Sequence, residues 1–176
     1  NPERTMSRLF PKAKDYETID QKISKEKLKL IEKRLGKPLD PGERENWIHY
    51  KIRESKGEIL GYVLTDAEKG EYGVIEIVMG ITPDGKVIGL YKVIGLYIQR
   101  AREKNKEFKA KEFLAQFVGK TKDNPIQIGK DIKATSSVPT EQVAFGVRKM
   151  LVMYDELKEA TAKAATLEEL LKNPKT

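Results

Sequence analysis

The sequence predicts an α+β fold, a single domain with an antiparallel sheet flanked by helices. Three observations carry this. A helical segment comes early, four apolar strand-like runs follow one another through the middle, and a long run of helical periodicity comes after them. The strands are joined by short turn signals and do not alternate with helices, which argues against a parallel βαβ sheet. A chain of 176 residues is long enough for one substantial core.

Residues 1–45 read as a helical and extended lead-in, 46–158 as the α+β domain, and 159–176 as a C-terminal helix and tail. Within the lead-in, residues 9–11 and 16–20 suggest short extended pieces. Ser24 caps a helix whose Leu28, Ile31 and Leu35 share one face and which Gly36 ends. Strands are predicted at 47–53, 59–65 and 73–81, with a hairpin turn at 54–58 and a second turn at Pro83-Asp84-Gly85-Lys86. Residues 87–98 read as one long strand kinked at Gly89 and Gly95, carrying the local echo Val-Ile-Gly-Leu-Tyr at 87 and again at 93. Polar residues 99–106 belong on the surface. A short helix holds Ala110, Phe113, Leu114 and Phe117, and residues 124–130 form an extended linker. Val143, Val147, Met150, Leu151, Tyr154 and Leu157 then mark one face of a helix.

Composition narrows the chemistry. With no cysteine there is no disulfide, thiolate nucleophile or cysteine metal site. The one histidine, His49, lies in a strand pattern and is expected to have no chemical role; alone it builds neither a usual metal site nor a catalytic triad. The net charge of +7 is uneven: residues 98–133 carry ten basic and five acidic side chains, while 58–97 carry three and six. A basic stretch ahead of a site favours an anionic ligand or acidic partner. Exposed aromatics interleaved with Lys and Arg, as on single-strand platforms, are missing, so no nucleic-acid partner is expected. Neither a P-loop nor a nucleophile elbow occurs. No apolar run is long enough to span a bilayer. The chain begins at Asn1 without an initiator Met, and an anchoring segment ahead of it is expected.

The richest motif is Asp131-Ile-Lys-Ala-Thr-Ser-Ser-Val-Pro-Thr140. It sets small hydroxylated residues at the entrance to the predicted long helix, with Pro139 fitted to its first turn. Amides and hydroxyls at the positive end of a helix dipole suit a phosphate, although ordinary capped helices share the pattern.

These pieces together resemble the FMN-binding domain family, whose members serve the sodium-translocating NADH:quinone reductases and the Rnf electron-transport complex. The resemblance rests on Gly61-Tyr62, on Gly70-Glu-Tyr-Gly73 leading into Ile75–Ile81, and on Asp84 through Gly89. It continues through Phe113-Leu-Ala-Gln-Phe-Val-Gly-Lys120 and Asp131 through Lys149, covering roughly residues 55–155. In that family the helix mouth reads Asp, two variable residues, Ser or Thr, then Gly-Ala-Thr, and the threonine carries FMN as a phosphoester in many members. Counted without gaps, Ala134, Thr135, Ser136 and Ser137 occupy those last four places, so the chain departs from the pattern at each.

The resemblance implies a flavoprotein of electron transport that binds FMN, an electron carrier or redox-complex component rather than a stand-alone catalyst. Ser137 is the attachment candidate and Thr135 the second; covalent attachment, reversible binding and no binding all stay open. Ser136, Val138 and Thr140 complete the phosphate side, aided by Lys130 or Lys133; Asp131 is read either as ordering the hydroxyl loop through backbone amides or as a surface acid before the helix. Tyr72, Gly73, Ile81 and Phe117 are the candidates for the ring. The implied partner is a redox protein or membrane electron-transport complex, and the implied location is extracytoplasmic and membrane-associated. The alternative is a degenerate member that acts as an interaction module of such a complex.

Overall fold

The computed structural model describes residues 2–90 and 93–172. In chain order the strands are β1 (Asp15–Lys22), β2 (Asn46–Arg53), β3 (Ile59–Lys69), β4 (Val74–Ile81), the two-residue β5 (Gly89–Leu90) and β6 (Val93–Ile94), and β7 (Leu96–Arg100). The helices are α1 (Pro2–Leu9), α2 (Lys25–Leu35), α3 (Lys111–Ala115) and α4 (Val138–Lys172). One antiparallel sheet runs β1-β2-β3-β4-β7, and β5 pairs with β6 separately. The α+β class and the antiparallel sheet are therefore as the strand pattern required.

Side-chain alternation divides the sheet into two faces. From β4, Ile75, Ile77, Met79 and Ile81 enter the main core with Leu64 of β3. Opposite them pack Ile31 and Leu35 of α2 and Val143, Val147, Met150 and Leu151 of α4. Val78, Val63 and Ile52 point the other way, where Met6 and Leu9 of α1 and the adjoining Phe10 cover them. Both faces of β4 are thus buried, and it is the spine of the molecule.

The lead-in belongs to this body. β1 pairs with β2 from Asp15↔Arg53 to Lys22↔Asn46. Ser24 accepts from the Lys27 amide at 3.2 Å, and Gly36 closes α2 in the left-handed region at φ 77°. The polar lead-in ahead of residue 9 is helical through Leu9, with Pro2 suited to the first helical position, and Pro11, expected in an extended piece, lies in a turn instead.

Three further expectations change. Residues 87–98 are not one kinked strand. The echo folds back on itself, pairing Gly89 with Ile94 and Leu90 with Val93, before β7 joins the main sheet. Backbone bonds from Gly80 to Gly95, Gly95 to Ile88 and Ile88 to Gly80 (2.7, 2.8 and 3.0 Å) lock this corner, and a Cβ on Gly95 would strike the Ile88 carbonyl.

The linker at 124–130 is a folded turn, in which Ile126 adopts φ 50° and is buried. The helix starting at Val138 runs unbroken through Lys172, about 50 Å, so residues 160–172 are no separate docking helix. Nothing between Gly146 and Lys172 breaks a helix, and Ala-rich residues 160–165 favour one. Residues 173–176 of the expected tail lie outside the described residues.

Candidate functional site at the mouth of the long helix

Ser137 and Thr140 cap α4 reciprocally. The Thr140 amide donates to Ser137 Oγ at 3.3 Å and the Ser137 amide to Thr140 Oγ1 at 3.0 Å. The two hydroxyl oxygens lie 2.9 Å apart, and the Thr140 hydroxyl reaches the Thr135 carbonyl at 2.8 Å. One proton per hydroxyl gives one consistent arrangement. Thr140 donates to Thr135, Ser137 donates to Thr140, and Ser137 Oγ accepts the amide. The Glu141 amide is taken by the Ser137 carbonyl at 3.0 Å, and Pro139 has no N–H.

The mouth consequently offers fewer free donors than a bare helix end. Thr135 and Ser136 are exposed, but Ser136 donates to Glu141 Oε1 at 2.9 Å, which sets a carboxylate at the entrance. Exposed Lys133 stands just ahead, its backbone bonded to both ends of the Gln116 amide at 2.7 and 2.8 Å.

Asp131 orders backbone, though not that of the hydroxyl loop. Its carboxylate accepts from the Ile126 and Gln127 amides at 3.0 and 2.9 Å and pairs with Lys120 at 3.3 Å. Burial works to raise its pKa, but the amides of Gln127 and Ile126 and the Lys120 ammonium outweigh that and hold it below the usual carboxylate range.

The ring candidates divide. Gln142, one turn after Val138, donates to the Lys69 carbonyl at 2.8 Å, and Lys69 pairs with Val74. Tyr72 and Gly73, in the turn between β3 and β4, therefore stand beside the first turns of α4. Tyr72, Val74 and Val138 are 52%, 54% and 47% exposed, three of the four most exposed large apolar side chains described. Ile81 lies at the opposite end of β4, paired with Tyr62 and fully buried. Phe117 is equally buried, edge-on to Phe113 at 5.4 Å between centroids. Neither joins the surface at the mouth.

A second polar centre went unread in the sequence. Lys149 Nζ lies 2.7 Å from Glu43 Oε2, 2.8 Å from Asp66 Oδ1 and 2.5 Å from Glu68 Oε2, with the Lys149 side chain 3% exposed. Burial depresses the ammonium's pKa, yet Asp66, Glu43 and Glu68 more than reverse this and raise it. Asp66 is pushed well above the carboxylate range by burial and by its hydrogen bond with Glu68, against the pull of Lys149. Its Oδ2 has no other partner. A shared proton between the two carboxyls meets both observations.

The signal was available: Leu64 faces the core, so Asp66 and Glu68 at steps of two face it as well. Each residue of Gly146-Val147-Arg148-Lys149 then has a structural task. A Cβ on Gly146 would come 2.5 Å from Asp66 Oδ2 and 2.7 Å from Ile77, so only glycine lets α4 approach the sheet here. Val147 is core, and Arg148 donates to the terminal carbonyls of α2 at Arg34 and Leu35, at 3.3 and 3.0 Å.

His49 is fully buried on β2, stacked on Trp47 with centroids 3.7 Å apart. Neither ring nitrogen has a well-formed partner, the Trp47 backbone giving only weak help. Burial lowers its pKa to about 4, so it is neutral near pH 7. Among the described residues no helix is long and apolar enough to cross a membrane.

No family model matches this chain, and no curated protein is found similar to it by sequence.

Proposed function

We propose that the chain is a flavin-carrying electron-transfer domain that holds FMN reversibly, its phosphate at the mouth of α4 and its ring against the neighbouring hairpin. The observation that carries this reading is the exposed pair Tyr72 and Val138 near the Thr135–Thr140 hydroxyls, with Gln142 tying the start of α4 to Lys69 at the foot of the hairpin turn. A flat apolar ring with an anionic tail needs an apolar wall next to a dipole's positive end. Thr135, the Val138 amide and Lys133 are the groups that would hold the phosphate. The bound flavin would supply the redox chemistry; the protein's own part is to position it and to limit its contact with water.

The Ser137 hydroxyl is tied into the cap, its oxygen accepting the Thr140 amide and sharing a hydrogen bond with the Thr140 hydroxyl, which favours reversible binding over a phosphoester. A redox protein or membrane electron-transport complex outside the cytoplasm is the partner in this reading. The second reading, a flavin-free interaction module of such a complex, is favoured by one contact, the Glu141 carboxylate held on Ser136 where the phosphate would lie.

Gel filtration after mixing with FMN separates the two. Flavin is expected to co-elute with the protein, to pass a filter once the protein is denatured, and to bind more tightly to Glu141→Gln. Failure of any flavin to co-elute, with or without that substitution, would leave only the interaction module.

A further inference from the structure

A cavity of about 370 Å³ opens between α1, the hairpin strand β6, the edge strand β7 and α3. Its size falls in the range of small-molecule sites. Leu96 and Leu114, both buried, form its floor, with Val93, Ile94 and Ile98 half-buried along the walls. Arg8, Lys109 and Lys111 stand exposed around the rim, and no carboxylate lines the cavity. Arg8 is held over the Tyr97 ring, 4.8 Å from its centroid, and Lys109 Nζ is anchored on the Ala101 carbonyl at 3.1 Å. None of the three makes an ion pair among the described residues.

Two unexplained sequence features meet here. The second copy of the Val-Ile-Gly-Leu-Tyr echo supplies Val93, Ile94, Leu96 and Tyr97, and the basic stretch 98–133 supplies both lysines. An apolar floor and walls under a cationic rim without ion pairs suit a molecule with an apolar body and one negative end. A neutral apolar ligand would leave the cationic rim unused, and a hydrophilic anion would leave the apolar floor unfilled.

We propose that this cavity is a binding site for a small anionic amphiphile, its chain lodged along Val93, Ile94 and Ile98 above the buried Leu96 and Leu114 and its anionic head among Arg8, Lys109 and Lys111. The chemistry is shared by a free medium-chain carboxylate and by an anionic lipid, and the single-molecule cavity assigns it to the free ligand. The proposal does not depend on flavin binding, since no lining residue belongs to the mouth of α4.

Titration with octanoate, followed by methyl NMR, tests it. One-to-one saturation is expected, with shifts at Ile94, Ile98 and Leu114, while octanol binds about tenfold more weakly or worse. Lys109→Gln with Lys111→Gln, both at exposed positions, is expected to cost a similar factor, whereas Lys56→Gln in the distant hairpin turn changes nothing. Equal binding of octanol and octanoate would overturn the proposal, as would unchanged affinity in the double variant or shifts confined to other methyl groups. So would binding to phosphatidylglycerol vesicles without any binding of octanoate.

Discussion

Lys149 is nearly dry and has three carboxylates around it, a setting in which losing the cation matters more than gaining the pairs. Lys149→Met leaves Glu43, Asp66 and Glu68 facing one another with no counter-ion. A loss of about 3–5 kcal/mol is expected in urea unfolding at neutral pH. Unchanged stability would mean that the carboxyls simply take up protons. His49 gives a pH dependence of definite sign. Its folded pKa of about 4 lies below the ordinary 6.5, so the unfolded chain binds the proton first as the pH falls. The stability it contributes is complete above pH 6.5 and is lost between 6.5 and about 4, to a total of roughly 3 kcal/mol. Asp66 has the opposite sign, since its raised pKa removes stability as the pH climbs through it. The comparison of wild type with His49→Gln therefore isolates the histidine: the variant should show a flatter slope between pH 4 and 6.5.

Elements closed by local chemistry were legible in the sequence, and those shaped by distant contacts were not. Ser24 and Gly36 announced both ends of α2 because a cap is satisfied within a few residues. The period-two runs announced β2, β3 and β4. The folding back of residues 87–98 was hidden because its cause lies in Gly80 and Ile88, whose backbones bond the carbonyl and the amide of Gly95. The turn at 124–130 was hidden for a similar reason. Ile126 accepts a left-handed φ, costly for a β-branched residue, because the Asp131 carboxylate grips its amide and the next. Asp131→Ala releases that grip. A loss of about 2 kcal/mol is expected, with faster hydrogen exchange at the Ile126 and Gln127 amides. Slow exchange retained at both would show that the turn is held by other contacts.

At the scale of the molecule, the long helix is anchored in its first third by Lys149 and Gly146 and leaves its first turn open beside the hairpin of β3 and β4. The hydroxyls at 135–140 and the neighbouring Tyr72 were legible as candidates. The closeness of the hydroxyls to Tyr72 was not, because which strand end lies beside α4 depends on pairing across the sheet. Ile81 and Phe117 read as ring contacts for the converse reason: apolar residues in suggestive blocks look alike until burial separates them. The proposed flavin site makes its phosphate the decisive group. Quenching of flavin fluorescence, with FMN and riboflavin titrated side by side, reads that group directly. FMN is expected to bind one-to-one and about tenfold or more tightly than riboflavin, the difference a charge-assisted hydrogen bond supplies. Equal affinity for the two, or no quenching by either, would contradict a phosphate held at the mouth of α4.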